Sequence, residues 1–215
     1  MPSHNSQSSE VCGETYEAQK LQGQALRVDE MSHVSSNITR SVNTGPKAAA
    51  STRAAFIGTR RVNELTDEDH RKYLDAVDEA VRRGHIIRTG AAKGTDQIAA
   101  ARALYQGGIV ELVLPWTSYE SDWVATYAGA LDSGRLKIEV YHEATYPFWT
   151  ASVDKYHPAP HQLTSRVRAL HARNYGIVAK TQYVVALVAP DRKGGTEQGI
   201  RIAKALGIRV LIIGE

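Results

Sequence analysis

The pattern of apolar and polar positions divides the chain near residue 52. Before that point Ser, Asn, Gln, Thr and Gly dominate and no apolar period is sustained, which predicts a tail that is either flexible or ordered by a partner. Within it, residues 16–28 read as a short helix. From Ala54 the pattern turns regular. Ala54-Ala55-Phe56-Ile57 is a short buried-type strand broken by Gly58. Thr66 starts a helix as N-cap, with Asp69 three positions on and acids favoured by the helix dipole. That helix carries Tyr73, Leu74, Val77, Ala80 and Val81 on one face and ends at Gly84. Further strands are predicted over 85–89, 110–114, 136–141, 183–188 and 208–213. Helices are predicted over 95–106, 122–131, 163–180 and 196–206. Residues 146–161, with Pro147, Pro158 and Pro160, read as irregular.

Strands and helices thus alternate, and several strands are continuous apolar runs. This is the pattern of a Rossmann-like α/β domain over 53–215: a doubly wound, mostly parallel sheet with helices on both faces, preceded by the tail 1–52. Right-handed crossovers would bring all the strand C-terminal ends to one edge, where such folds bind ligands.

Composition narrows the class. With 215 residues, 42% of them hydrophobic, the chain can build one core of ordinary size. No stretch approaches the roughly 18 continuous apolar residues of a membrane span. Residues 1–10 are polar and do not form a secretory signal, and the single cysteine, Cys12, fits a reducing cytoplasm. A net charge of +3 permits phosphate ligands without demanding them.

Three loops at predicted strand C-termini have the material for an anion. In Gly58-Thr59-Arg60-Arg61 the glycine allows a sharp turn and Arg60 can fork onto a phosphate or carboxylate. The plainer alternative is an ordinary turn with two solvated arginines. Thr89-Gly90-Ala91-Ala92-Lys93-Gly94-Thr95-Asp96 leaves a strand and enters a helix. The unpaired first N–H groups of that helix and its dipole favour a phosphate. Gly90 and Gly94 allow close backbone approach, Lys93 adds a charge, Thr95 can cap, and Asp96 either holds the loop through backbone N–H groups or reaches a ribose hydroxyl. Lys193-Gly194-Gly195-Thr196 repeats the arrangement, with Thr196 as candidate N-cap.

These runs resemble the DprA/Smf proteins, which carry a G-[ST]-R turn, then [ST]-G-x-A-[RK]-G-x-D, then a helix ending A-L-x-x-G-G. Here the matching residues are 54–60 (AAFIGTR), 89–104 (TGAAKGTDQIAAARAL) and Gly107-Gly108. The same elements mark the wider SLOG superfamily, which includes LOG-type phosphoribohydrolases and YspA-like proteins. His157-Pro158, Arg173-Asn174 and Gly194-Gly195-Thr196 resemble short DprA-like proteins common in bacteriophages, which would place the protein in a host cytoplasm. The resemblance covers about residues 54–213. It implies a Rossmann-like fold with a ligand phosphate over 90–96 and 194–196. Two departures stand out. DprA often has a histidine where this chain has Ala100. LOG hydrolases have a catalytic glutamate three residues after the motif threonine, where this chain has Gly199, and Glu197 lies about 200° away round the helix. Hydrolysis of the LOG type therefore lacks its carboxylate.

Other residues weigh less. His157, His161 and His171 have no helical i, i+4 pairing and read as loop or surface histidines, so no metal site is expected. Trp116 is the candidate for stacking a base, while Trp123 and Trp149 read as packing. Arg166 and Arg173, seven apart, share a helix face, so Arg173 with Asn174 either points at the crevice or belongs to a solvated basic face. The leading expectation is a binding domain for a nucleotide or nucleotide-derived phosphate ligand, without catalysis and with no required cofactor. The alternative is DprA-like single-stranded DNA binding, ranked second because no aromatic/basic stripe runs along the chain. A homo-oligomer or an assembly partner, engaged through the tail, completes the expected partners.

Overall fold

The computed structural model describes residues 52–214; the predicted tail helix over 16–28 lies outside them. Six strands form one sheet: β1 (Arg53–Gly58), β2 (Ile86–Thr89), β3 (Val110–Leu114), β4 (Leu136–Val140), β5 (Tyr183–Leu187) and β6 (Arg209–Ile213). The order is β4-β3-β2-β1-β5-β6 and every pairing is parallel. The register sets Ala55 beside Arg88, Arg88 beside Glu111, and Glu111 beside Lys137. This is the Rossmann-like sheet that the alternating pattern predicts.

Two helical layers cover it. α1 (Asp67–Arg82) and α2 (Thr95–Tyr105) bury Tyr73, Val77, Ala99, Ala100 and Ala103 against Phe56, Ile87, Leu112 and Leu187. On the opposite face, α5 (Pro147–Tyr156), α6 (Ser165–Ala179) and α7 (Gly195–Ala205) bury Trp149, Val153, Ala172, Ile177, Ile200 and Ile202 against Ala55, Ile57, Val184 and Ala186. Period-two alternation in β1 and β5 explains how single strands feed both cores. α1 starts as its sequence dictates. The Thr66 hydroxyl accepts from the Asp69 N–H at 3.1 Å, and Asp69 returns the bond to the Thr66 backbone, closing a capping box.

Two segments differ from the sequence reading. Residues 146–161 are not irregular: α5 occupies most of them, followed by a 3-10 turn at Pro160–Gln162. Pro147 starts α5 instead of breaking it, because at the first helical position the missing N–H costs nothing and its fixed φ suits the helix. The single helix predicted over 122–131 is two short ones, α3 (Ser121–Ala125) and α4 (Ala128–Asp132). The break falls at Tyr127, whose φ of −110° and ψ of 27° leave the helical region.

The chain runs β1 to β4 in one direction across the sheet, then crosses back so that β5 pairs with the free side of β1. Sheets of this kind bind ligands in the crevice outside the strand C-terminal ends at such a reversal, which here falls at β1 and β5. Among the described residues, no helix is long and apolar enough to cross a membrane.

Candidate functional site

The three glycine-bearing loops meet at this switch point, and specific bonds tie them together. Thr59 N–H donates to the Leu187 carbonyl at 3.0 Å, joining the β1 loop to β5. Arg61 pairs with Asp191, joining the β1 loop to the loop after β5. The Thr59 carbonyl accepts twice from Thr95, from its backbone N–H at 3.2 Å and its hydroxyl at 3.0 Å, joining β1 to the start of α2. Thr95 is therefore not the N-cap that the sequence suggests. Gly94 takes that position with φ +95°, and the Thr95 hydroxyl, fully buried, is spent on the neighbouring loop.

Gly94 is required twice over. Its φ is one that side chains rarely adopt, and a Cβ there would lie 2.8 Å from both Arg60 Cα and the Thr59 carbonyl. The close approach at this glycine is thus to the protein's own β1 loop. Ala91 adopts φ +60°, so the turn before α2 holds two left-handed residues. Asp96 is almost buried and accepts from the Ala92 N–H at 3.4 Å, the loop-holding role considered for it. Burial pushes its carboxyl above the usual range, and the Arg173 guanidinium pulls the other way.

Arg173 belongs to α6 yet lies over the β2 turn. Its Nη1 is 3.5 Å from Asp96 Oδ2, and only a glycine at position 90 leaves room for it. The guanidinium is buried and its Nε has no partner. Arg173 therefore does not belong to a solvated basic face; it is buried against the β2 turn and Asp96. Its helix neighbour Asn174 turns to α7 instead, donating to Gln198 Oε1 at 2.9 Å and to the Gly195 carbonyl at 3.4 Å.

α7 begins in the open. Gly194 is its N-cap at φ +77°, and a Cβ there would meet nothing within 4 Å. Thr196 sits one residue inside the helix and makes no capping bond, because the helix starts earlier than the threonine suggests. Of the two helix N-termini in the crevice, α2 is closed over by Arg60 and Arg173, while α7 and Lys193 face outward. Lys93 and Arg60 are exposed on the same rim. Gly199, standing where LOG hydrolases have their glutamate, is buried with Ile57 Cδ1 2.7 Å from the place of a Cβ, so the position faces the core.

Trp116 follows β3 and is half-buried. The Arg166 guanidinium lies 4.5 Å over its ring, Tyr119 packs edge-on at 5.1 Å, and Arg60 donates to the Tyr119 hydroxyl at 3.2 Å. Arg166, Trp116, Tyr119 and Arg60 thus form a run of cation, ring, ring and cation beside the crevice, with Tyr119 itself buried. No stripe of this kind runs along the sequence; three separate segments assemble it. Tyr119 went unnoticed in the sequence, where nothing marks it, and so did Gln198. Gln198 is wholly buried at the α6–α7 contact, and its Oε1 accepts from His171 Nδ1 at 2.6 Å.

No known family profile matches the chain, and no curated protein does. Solved structures do. DNA processing protein A from Helicobacter pylori, a single-stranded DNA-binding protein, superposes with a TM-score of 0.51 at 16% identity, covering 75% of this chain and 64% of that one. The Streptococcus pneumoniae protein of the same name gives 0.49 at 18% identity, over 75% and 50%. The Moco carrier protein of Chlamydomonas gives 0.45 at 13% identity, over 76% of each chain. This chain thus spans about half to two thirds of the DNA processing proteins it matches. At these identities the shared property is the fold, a Rossmann-like domain of the kind found in DNA processing protein A.

Proposed function

We propose that the crevice binds a nucleotide or nucleotide-derived phosphate ligand and does so without catalysis. The observation that carries this reading is the convergence of Gly58–Arg60, Gly90–Asp96 and Gly194–Thr196 on one switch point, over a buried arginine with an unpartnered Nε. The open N-terminus of α7 offers unpaired N–H groups and the positive end of a dipole, and Lys93, Arg60 and Arg173 supply charge-assisted donors. Trp116 offers a face for the base. Against hydrolysis stands Gly199, which is turned into the core.

Native mass spectrometry of the purified protein tests this by seeking a co-purifying nucleotide, and calorimetry with nucleoside mono- and diphosphates tests it directly. Saturable binding that weakens in Lys93→Ala supports the reading. Binding of no nucleotide at millimolar concentration, together with no co-purifying species, overturns it.

The second reading is single-stranded DNA binding. It is favoured by the run Arg166, Trp116, Tyr119, Arg60, in which two cations flank two rings, since strand-tracking grooves combine stacking rings with cations along the backbone. A fluorescence titration with a labelled oligonucleotide separates the two readings. Strand tracking gives an affinity falling with salt at a log–log slope of about −0.7 per neutralised phosphate, whereas a mononucleotide site holds an oligonucleotide weakly at physiological salt.

A further inference from the structure

The interior strands of a parallel sheet normally present apolar side chains to the helices on each face. Part of the face carrying α5, α6 and α7 does not. Arg88, Glu111 and Lys137 stand in register on β2, β3 and β4, with Arg53 and Glu139 two residues away on the same face of β1 and β4. Lys180, just past α6, completes the lining of a cavity of about 240 Å³.

The charges there do not cancel. Glu111 accepts from Arg53 Nε at 3.0 Å and Arg88 Nη1 at 2.8 Å, and Glu139 accepts from Lys180 Nζ at 2.6 Å and from Arg88 Nη2. Burial works against ionising both carboxyls, but the hydrogen bonds from these cations outweigh it and hold both below the usual range. Both are therefore ionised at neutral pH. Four cations then surround two carboxylates, an excess of two positive charges. Arg88, only 2% exposed, gives its Nε to the Gly176 carbonyl and still has N–H donors to spare. Lys137 has no carboxylate partner among the described residues. The unmatched charge sits on the solvent-exposed side, at Lys137 and Lys180, where an anion reaching inward to the spare Arg88 donors would pair with it.

We propose that this cavity binds a small organic dianion, a dicarboxylate or a phosphomonoester, at a site separate from the crevice. Arg53 and Arg88 form its floor, and Lys137 and Lys180 stand at its mouth. Its volume falls below the roughly 300–1,000 Å³ of pockets for drug-sized ligands, which sets the size of the occupant. Cavity and crevice share a helix, since Gly176 lies three residues past Arg173, so a test has to separate them.

The test uses the full-length protein. Succinate and inorganic phosphate are titrated separately at constant ionic strength against sodium chloride, with thermal melts and calorimetry as readouts. The expected result is a saturable rise in Tm for the parent and for Lys93→Ala. Lys137→Glu and Lys180→Gln, both changed at exposed positions and so expected to fold, should bind at least about tenfold more weakly. Equal responses in the parent and Lys137→Glu overturn the proposal. So does a response lost in Lys93→Ala yet kept in Lys137→Glu, which assigns the anion to the crevice. A response no larger than that to sodium chloride also overturns it, leaving the charges as a self-contained network.

Discussion

Arg173 reaches from α6 on one face of the sheet, across the end of β2, to Asp96 of α2 on the other, with Nη1 3.5 Å from Oδ2. Both side chains are almost buried, so the pair clamps the two helical layers together directly beneath the crevice. Gly90 stands between them, where a Cβ would fall 1.5 Å from Nη1 and 2.7 Å from Asp96 Oδ2. Gly90→Ala should push the guanidinium aside and leave a buried carboxylate unpaired. Breaking a buried pair in this way costs about 3–5 kcal/mol. Urea denaturation of the variant should show that loss, and a midpoint equal to the parent's would mean that the arginine relocates freely.

The described core runs from Ala54 to Ile213, and the sequence before residue 52 sustains no core-forming apolar period. Deleting residues 1–51 should therefore leave a domain that melts in one cooperative transition. Comparing calorimetric melts of the full-length and shortened proteins checks this. Loss of the transition would make the tail part of the fold.

His171 sets a pH dependence. Burial lowers its pKa, with His157, Arg173 and Arg201 acting the same way, while the bond to Gln198 opposes them. The unfolded imidazole, near pKa 6.5, takes up its proton first as pH falls. The stability His171 contributes is then fully present above about pH 6.5 and is lost as pH drops through the lower, folded value. Tm should fall on acidification from neutral pH, and His171→Gln should flatten that fall. Parallel melts across this range provide the check, and an unchanged slope would exclude His171 as the cause.

Local chemistry made much of this architecture legible. The apolar runs of β1, β3 and β5 and the Thr66–Asp69 capping box depend on neighbours a few residues apart, and the structure keeps them. Sequence and structure part where one residue type serves opposite roles: Pro147 starts a helix in a stretch whose prolines predict irregular backbone, and Thr95 and Thr196 resemble caps at helices already capped by glycine. The rim of the crevice was illegible for another reason. Arg60 and Tyr119 are 59 residues apart, and His171 and Gln198 are 27 apart, so their contacts exist only once the sheet has formed.

Lys93 and Gly94 are adjacent, yet substitutions there should separate binding from folding. Lys93 is exposed and not itself part of the core, so Lys93→Ala should leave stability within about 0.5 kcal/mol of the parent. If it contacts the ligand, affinity should drop by one charge-assisted hydrogen bond, roughly 1.5–3 kcal/mol or about ten- to a hundredfold. Gly94→Val behaves differently, because its Cβ meets the backbone of Thr59 and Arg60 and its φ is positive. That variant should lose stability by about 1–3 kcal/mol and bind poorly through a distorted β1 loop. Only a Lys93→Ala variant with parental stability and weakened binding assigns the lysine to the ligand.

The rim pairing of Trp116 with Arg166 gives the sharpest test of what the ligand carries. A base that stacks on Trp116 has to displace the guanidinium now 4.5 Å above the ring. Removing the ring by Trp116→Leu should cost a stacked base about 1–3 kcal/mol, roughly five- to a hundredfold in affinity. Removing the cation by Arg166→Ala should cost a mononucleotide little, since the base no longer competes for the ring, but should weaken an oligonucleotide whose backbone needs the charge. Neither change should alter the binding of ribose 5-phosphate, which has no aromatic base to stack. Titrating the two variants with these three ligands reads each contribution separately. If Trp116→Leu binds nucleotide and ribose phosphate as the parent does, the base lies elsewhere and the ring only packs against Tyr119.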